Sequence, residues 1–363
     1  MTSDQQPLLQ RTSLEGIWMW SRWQHERSMN FNSFYLRGEE SIVVDPLAIE
    51  EVDLAAIRSL GGAQWIVITN RDHERQSRAV AAALGARIAA PALDAPLLSA
   101  PVDRKLHDGE RVGRARVVSL EGQKSPGEAA LHVPDVSAVI LGDALLGDPP
   151  GALRMLPDEK LGDSTRAALS LRSVWALRPR NLLVGDGACI FGNATEAIRA
   201  YLESRRDVYV NRINIDHLTW EEPHDEPGRF GGACAEIGRL VGAQTLGYRL
   251  VRLPAGKTWV PLHWHQEDEE LYFVVDGEAT LRTTRGEYAV RRGDFIAFPA
   301  GPGGAHQLRN DGEHFCTILM LAGNAGGGDV CCYPDSHKVL VGAGGPMLRS
   351  EPTLDYYDGE PEA

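Results

Sequence analysis

No apolar run in the 363-residue chain approaches the roughly 20 residues that a membrane helix requires, and residues 1–15 are polar, without a signal-peptide core. Neither a membrane partner nor secretion is expected, and the predicted location is cytoplasmic. Positive charge is in deficit: 37 Lys and Arg face 50 Asp and Glu, a formal net charge of -13. Nucleic acid and anionic membranes repel such a chain. There is also no basic patch and no helix-turn-helix segment to suggest DNA binding. The expected partner is a small molecule or another protein. Cysteine is scarce. Cys189, Cys234, Cys316, Cys331 and Cys332 are odd in number and scattered, and the adjacent pair disfavours an ordinary bridge, so reduced, mostly buried thiols are expected.

What remains is an ordinary globular composition, 43% hydrophobic and 24% charged, on a chain long enough for two domains. The first half alternates strand-like runs (41–44, 65–69, 136–141, 181–184) with helix-like ones (76–84, 164–177, 195–204), an α/β pattern. Residues 205–232 are rich in charged and turn-forming types and read as a linker. Beyond Gly242 the helical period disappears. Short segments at 245–253, 258–265, 270–275, 279–284, 287–290, 294–298, 306–309 and 316–321, mostly bounded by Gly, Pro, Asn or Asp, predict an all-β barrel or sandwich. The glycine-rich patch 323–328 is expected to be a loop.

Within that second half, His263 and His265 stand two apart in a predicted strand, so their side chains leave one face and can converge. Glu270 opens the next strand, expected as the antiparallel neighbour of the pair, and His306 begins a later one. Three imidazoles and a carboxylate form a mixed N/O site suited to one divalent transition metal: Fe, Mn, Ni, Cu or Zn, with Fe(II) or Mn(II) favoured. Burying these groups without a partner would be costly. Strand parity puts Trp259 and Pro261 on the His263 face, and Tyr272 and Val274 on the Glu270 face. Trp259 and Tyr272 are the candidate substrate-pocket residues, although core packing would select the same positions.

The spacing of His263, His265, Glu270 and Gly277, followed by Gly293, Pro299, Gly301, His306 and Asn310, resembles the two motifs of the cupin superfamily. The resemblance implies a double-stranded β-helix (jelly roll) over about 233–359 with the metal inside. It selects Glu270 over Glu269, which would point outward, and suggests a homodimer paired through barrel edges. The tail, 333–338 and 355–360, is expected to wrap the barrel.

Residues 15–204 resemble the metallo-β-lactamase superfamily, so the whole reads as an α+β two-domain chain with an N-terminal αββα sandwich. The resemblance rests on the strand at 30–36 and the Asp45 turn, on Lys124 to Glu128, on Gly142 and Asp143, and on Gly185, Asp186 and Gly187. Where that family writes Thr-His-x-His-x-Asp-His, this chain has Thr69, Asn70, Arg71, Asp72, His73, Glu74 and Arg75, and the two later histidines are Lys124 and Asp186. No register supplies the imidazoles of a dinuclear hydroxide-forming site. Metallohydrolase chemistry is therefore not expected here. A scaffold or dimerisation role is, although Lys124 or Arg75 could supply the charge that a metal would. Neither Cys189 nor Ser125 has an evident histidine partner for metal-free hydrolysis.

The functional expectation is thus a metal-dependent cupin, first a dioxygenase-like oxidoreductase acting on a small organic substrate. Isomerisation, or binding of a sugar or organic acid with the N-terminal domain as scaffold, is the alternative.

Overall fold

The computed structural model describes residues 8–221, 228–323, 328–355 and 358. Positions 1–7 of the polar start, 222–227 of the expected linker, 324–327 of the glycine-rich patch, and 356, 357, 359 and 360 of the tail lie outside the described residues. The chain divides into two compact units, with the boundary between Val210 and Asn211.

The first unit is an αββα sandwich, and strand parity builds it. In the seven-stranded sheet, Ile42 and Val44 face one side and Val43 the other. The first side packs on Ala138, Ile140 and Leu131 of a five-stranded sheet, forming the inter-sheet core. The second side packs under the helices Glu51–Ser59 and Ser77–Leu84 through Leu54, Ile57, Val80 and Ala81. The alternate residues of the five-stranded sheet, Val139 and Leu141, meet Leu171, Val174 and Ile198 of the helices Ser164–Ala176 and Ala194–Ser204. The strands Ile42–Val44, Trp65–Val67, Arg87–Pro91 and Arg104–Leu106 run parallel, as do Ala138–Leu141 and Asn181–Val184. Their carboxyl ends release the loops that carry polar groups, as open α/β sheets generally do.

Among the described residues, the second unit is all-β apart from short 3-10 turns. A five-stranded sheet runs in the order Ala233–Glu236, Leu246–Leu253, Cys316–Gly323, Glu270–Asp276, Phe295–Phe298. A three-stranded sheet joins Gly286–Arg291, Glu278–Thr283 and His306–Arg309, and a four-stranded one joins Trp264–His265, Val330–Tyr333, Lys338–Val341 and Met347–Arg349. Val251, Leu253, Tyr272, Val274, Leu281, Leu308 and Ile318 share one core. This is the cupin jelly roll.

Two expectations need correction. The predicted strand 258–265 shrinks to Trp264–His265 with single bridges from Thr258 to Arg309 and from His263 to His306, because Pro261 lacks a backbone donor. Glu270 is also not the antiparallel neighbour of the histidine pair. Its strand pairs with Phe295–Phe298 and Cys316–Gly323, whereas Trp264–His265 pairs with Cys332 and Cys331. The carboxylate reaches the imidazoles from a different sheet.

Asn310 ties this unit together. Fully buried, it donates from Nδ2 to the carbonyls of Leu253 (2.7 Å) and His314 (2.8 Å), and its Oδ1 accepts from the Gly312 amide (2.9 Å). Asn310→Ala leaves the buried Leu253 carbonyl and two partly buried backbone groups without this partner and is expected to cost about 1–3 kcal/mol. Urea denaturation of the full chain should show the C-terminal transition at lower denaturant; an unchanged midpoint would refute the role given to Asn310.

Candidate metal centre

In the barrel, the bridge between His263 and His306 sets two imidazoles side by side, with ring centroids 4.5 Å apart. Each ring is oriented by a bond from its outer nitrogen. His263 Nδ1 lies 3.0 Å from the Pro261 carbonyl, His306 Nδ1 2.9 Å from the Gly304 carbonyl, and His265 Nδ1 2.6 Å from Asp329 Oδ2. Carbonyls and carboxylates only accept, so all three Nδ1 atoms carry a proton, and in the neutral rings all three Nε2 atoms present lone pairs. Those lone pairs face one atom: Glu270 Oε2 lies 3.1 Å from His306 Nε2, 3.5 Å from His265 Nε2 and 3.7 Å from His263 Nε2. The oxygen is buried and accepts no hydrogen bond. Burial opposes the charge on Glu270; protonated rings at His263 and His306, donating to it, would hold its carboxyl well below the usual range.

The wall around these groups is aromatic. Phe298 stacks on His306 with centroids 3.7 Å apart and planes at 12°, Tyr333 stacks on His263 at 6.1 Å, and the Tyr272 hydroxyl lies 3.1 Å from His306 Nε2. Burial, reinforced by Glu270, pushes the Tyr272 phenol well above its ordinary value. Tyr272 is thus beside the imidazoles, while Trp259 packs against the barrel core with its indole over Gly232. Glu269 is exposed.

Sequence reasoning missed Asp329 and Cys331. Cys331 sits opposite His265 in the strand register and offers its sulfur within 4.8 Å of the ligand atoms of His263 and His265. Both residues lie more than sixty positions downstream of His265, Cys331 in the strand Val330–Tyr333 and Asp329 just before it, and no local periodicity announces that pairing.

The first unit carries a second polar cluster, at the carboxyl ends of its strands. Of the residues aligned with the family's histidines, Asn70 caps the 3-10 turn Arg71–His73, Asp72 turns outward to Lys124 (2.9 Å), and Arg75 and Asp186 pair at 2.8 Å. The turn brings His73 inward instead: Nδ1 lies 2.8 Å from Asp45 Oδ2, and Nε2 lies 3.4 Å from Asp143 and 3.8 Å from Asp186. Glycines permit this closeness. A Cβ on Gly185 would stand 2.6 Å from the His73 ring, and one on Gly142 2.4 Å from both the Asn70 and Thr69 side chains. Glu128 accepts the Asp143 amide, and burial next to Asp143 raises its carboxyl well above the usual value. The Ser125 hydroxyl is bonded to Asp94, and burial pushes the Cys189 thiol up to about 11. Neither is an activated nucleophile.

Fold and clusters together define a metallo-β-lactamase-type sandwich joined to a cupin barrel. Residues 9–204, more than half of the chain, match the model of the Metallo-beta-lactamase superfamily, and the chain belongs to that superfamily. Residues 249–322 match the model of the Cupin domain. The chain is similar to a solved sugar phosphate isomerase from a cupin superfamily of Silicibacter pomeroyi, at 25% identity over 40% of this chain and 98% of that one, with a TM-score of 0.36. A metallo-beta-lactamase from Pontibacter korlensis matches at 11% identity over 55% of this chain and 100% of that one, with a TM-score of 0.46. No curated protein matches the chain.

The first-unit cluster gives a pH prediction. Burial and the Arg75 guanidinium oppose a charge on His73, but Asp45 and Asp143 outweigh them and push its pKa from 6.5 up to about 10. A folded-state value above the unfolded one stabilises the protonated form. That contribution is complete below pH 6.5 and is lost as pH rises toward about 10. The melting temperature is expected to fall across that window, and His73→Gln should flatten the fall. A variant with the wild-type pH slope would contradict the assignment.

Proposed function

We propose that the barrel holds one divalent transition metal through His263, His265, Glu270 and His306, and that the protein is a dioxygenase-like oxidoreductase acting on a small organic substrate. The observation that carries the metal is the convergence of three Nε2 atoms, lone pairs in the neutral rings, on a buried carboxylate oxygen with no hydrogen-bond partner. Four electron-pair donors face one another there, an arrangement that a cation between them satisfies. The donor set suits iron or manganese, which would supply Lewis acidity, redox capacity and open positions for exogenous ligands.

The chain's own residues do the rest. Asp329, Pro261 and Gly304 fix the three ring orientations, and Phe298 covers the His306 face and excludes water. Tyr272 places a hydroxyl beside the centre, where it can hydrogen-bond a polar group on a substrate lying along the aromatic wall. Isomerisation by proton shuttling would call on a base. Yet the two carboxylates that touch the imidazoles, Glu270 and Asp329, are committed to them, and the high pKa of Tyr272 leaves it protonated. That favours redox chemistry over proton transfer.

Protein purified without added metal is expected to contain about one transition metal ion per chain, lost on combining His263→Ala with His265→Ala. Asp329→Asn should weaken metal affinity by about 10–100-fold with the fold intact. The iron form should consume O₂ with substrates from an organic-acid panel. Equal metal content in parent and double variant would overturn the site, and turnover of a sugar without O₂ uptake would overturn the oxygenase assignment.

A further inference from the structure

The metal that the first unit's fold implies does not fit the residues that stand there. His73, Asp143 and Asp186 offer ligand atoms within 4.8 Å of one another, which by itself would suit a cation. The Arg75 guanidinium, however, already occupies this group. Its Nη2 lies 2.8 Å from Asp186 Oδ1 and 3.1 Å from His73 Nε2, so an ion ligated by both atoms would stand against a fixed positive charge. His73 offers no way round this. Neutral, with its Nδ1 proton on Asp45, it spends the Nε2 lone pair on Arg75; protonated, it has no lone pair to give.

Arg75 is also held from every side. Nη1 donates to the carbonyls of Asn32 (2.7 Å) and Asp45 (3.3 Å), Nη2 donates to the Gly185 carbonyl (3.4 Å), and the guanidinium lies 5.2 Å from the Phe31 ring centroid. The residue adopts φ +43°, a left-handed conformation that a side chain of this size takes only when its surroundings impose it. A loosely placed surface arginine would relax. This one joins the strand Met29–Leu36, the Asp45 turn, the His73 turn and the 185–186 loop at one planar group.

We propose that Arg75 is the resident cation of the N-terminal cleft: its guanidinium replaces the metal, and removing it turns His73, Asp143 and Asp186 into a site for a divalent ion. The charges support the exchange. Asp45, Asp143 and Asp186 surround the position, and a fixed cation among them does what a bound ion would do without lowering the pKa of a water. The cleft therefore keeps the electrostatic balance of its superfamily and loses the source of hydroxide.

The test uses zinc titration by calorimetry and elemental analysis on the full chain. A background carrying His263→Ala and His265→Ala silences the barrel, so the outcome does not depend on what the barrel does. In that background, the cleft is expected to bind no zinc while Arg75 is present. Adding Arg75→Ala, or the milder Arg75→Gln, should create about one further equivalent per chain. Adding Asp143→Asn with Asp186→Asn should abolish it again. Zinc bound with Arg75 in place and lost on Asp143→Asn with Asp186→Asn would overturn the proposal, as would folded Arg75→Ala and Arg75→Gln proteins that gain none. If both Arg75 variants fail to fold, the two proteins that retain Arg75 decide the matter: equal zinc content upholds the proposal, and a cleft-dependent equivalent overturns it.

Discussion

A buried carboxylate must be met by positive charge or by hydrogen-bond donors, and both units are organised around that constraint. In the barrel, Glu270 turns Oε2 toward three Nε2 atoms of rings oriented by Pro261, Gly304 and Asp329, and neutral rings in that orientation have no proton to donate to it. With neutral rings, the balance there is left to a cation of the kind proposed above. In the sandwich, Asp186 and Asp45 are met by Arg75 and His73, which are part of the chain. One problem is left open for an ion and the other is closed by side chains.

Backbone choices enforce each solution. The barrel carbonyls that fix His263 and His306 lie two residues before each ring, so ring orientation follows from the local path of the chain. His265 depends instead on Asp329, whose Oδ1 also accepts the Glu267 amide at 2.8 Å, tying a distant strand to the loop that leads into Glu270. In the sandwich, Asp45 and Arg75 both adopt positive φ, and the glycines at 142 and 185 let the His73 turn press against the strand ends. Such strain is tolerated where many contacts determine a position together.

These differences explain what could be read from the sequence. Four strands of the sandwich, seven of the barrel and the approach of His263, His265, Glu270 and His306 to one another were legible, because period-two alternation, turn residues and motif spacing are local signals. Asp329 and Cys331 were not, since their place beside His265 comes from a tail strand whose pairing is set by the closed sheet. The face reached by Glu270 was legible while its strand neighbours were not, because parity tells which side a residue takes but not which strand lies alongside. In the first unit, Arg75 was visible as a histidine replacement, but the inward turn of His73 was hidden. It depends on Asn70 capping the 3-10 turn through its Oδ1, which accepts from the amides of Asp72 (2.9 Å) and His73 (3.1 Å), a rotation that no linear alignment carries.

The two clusters also differ in what they leave free. Around His73, the ring nitrogens, Asp45 Oδ2 and Asp186 Oδ1 are engaged with one another and with Arg75, so much of the cleft's polarity holds its own loops together. Around Glu270, the equivalent groups remain directed at a common point and are rimmed by the rings of Phe298, Tyr272 and Tyr333. Chemistry needs groups whose interactions are completed by what enters the site. On that criterion the barrel is the half that favours the function proposed above. In the sandwich, the Arg75 guanidinium beside Asp186 and His73 makes much of the charge balance internal to the chain.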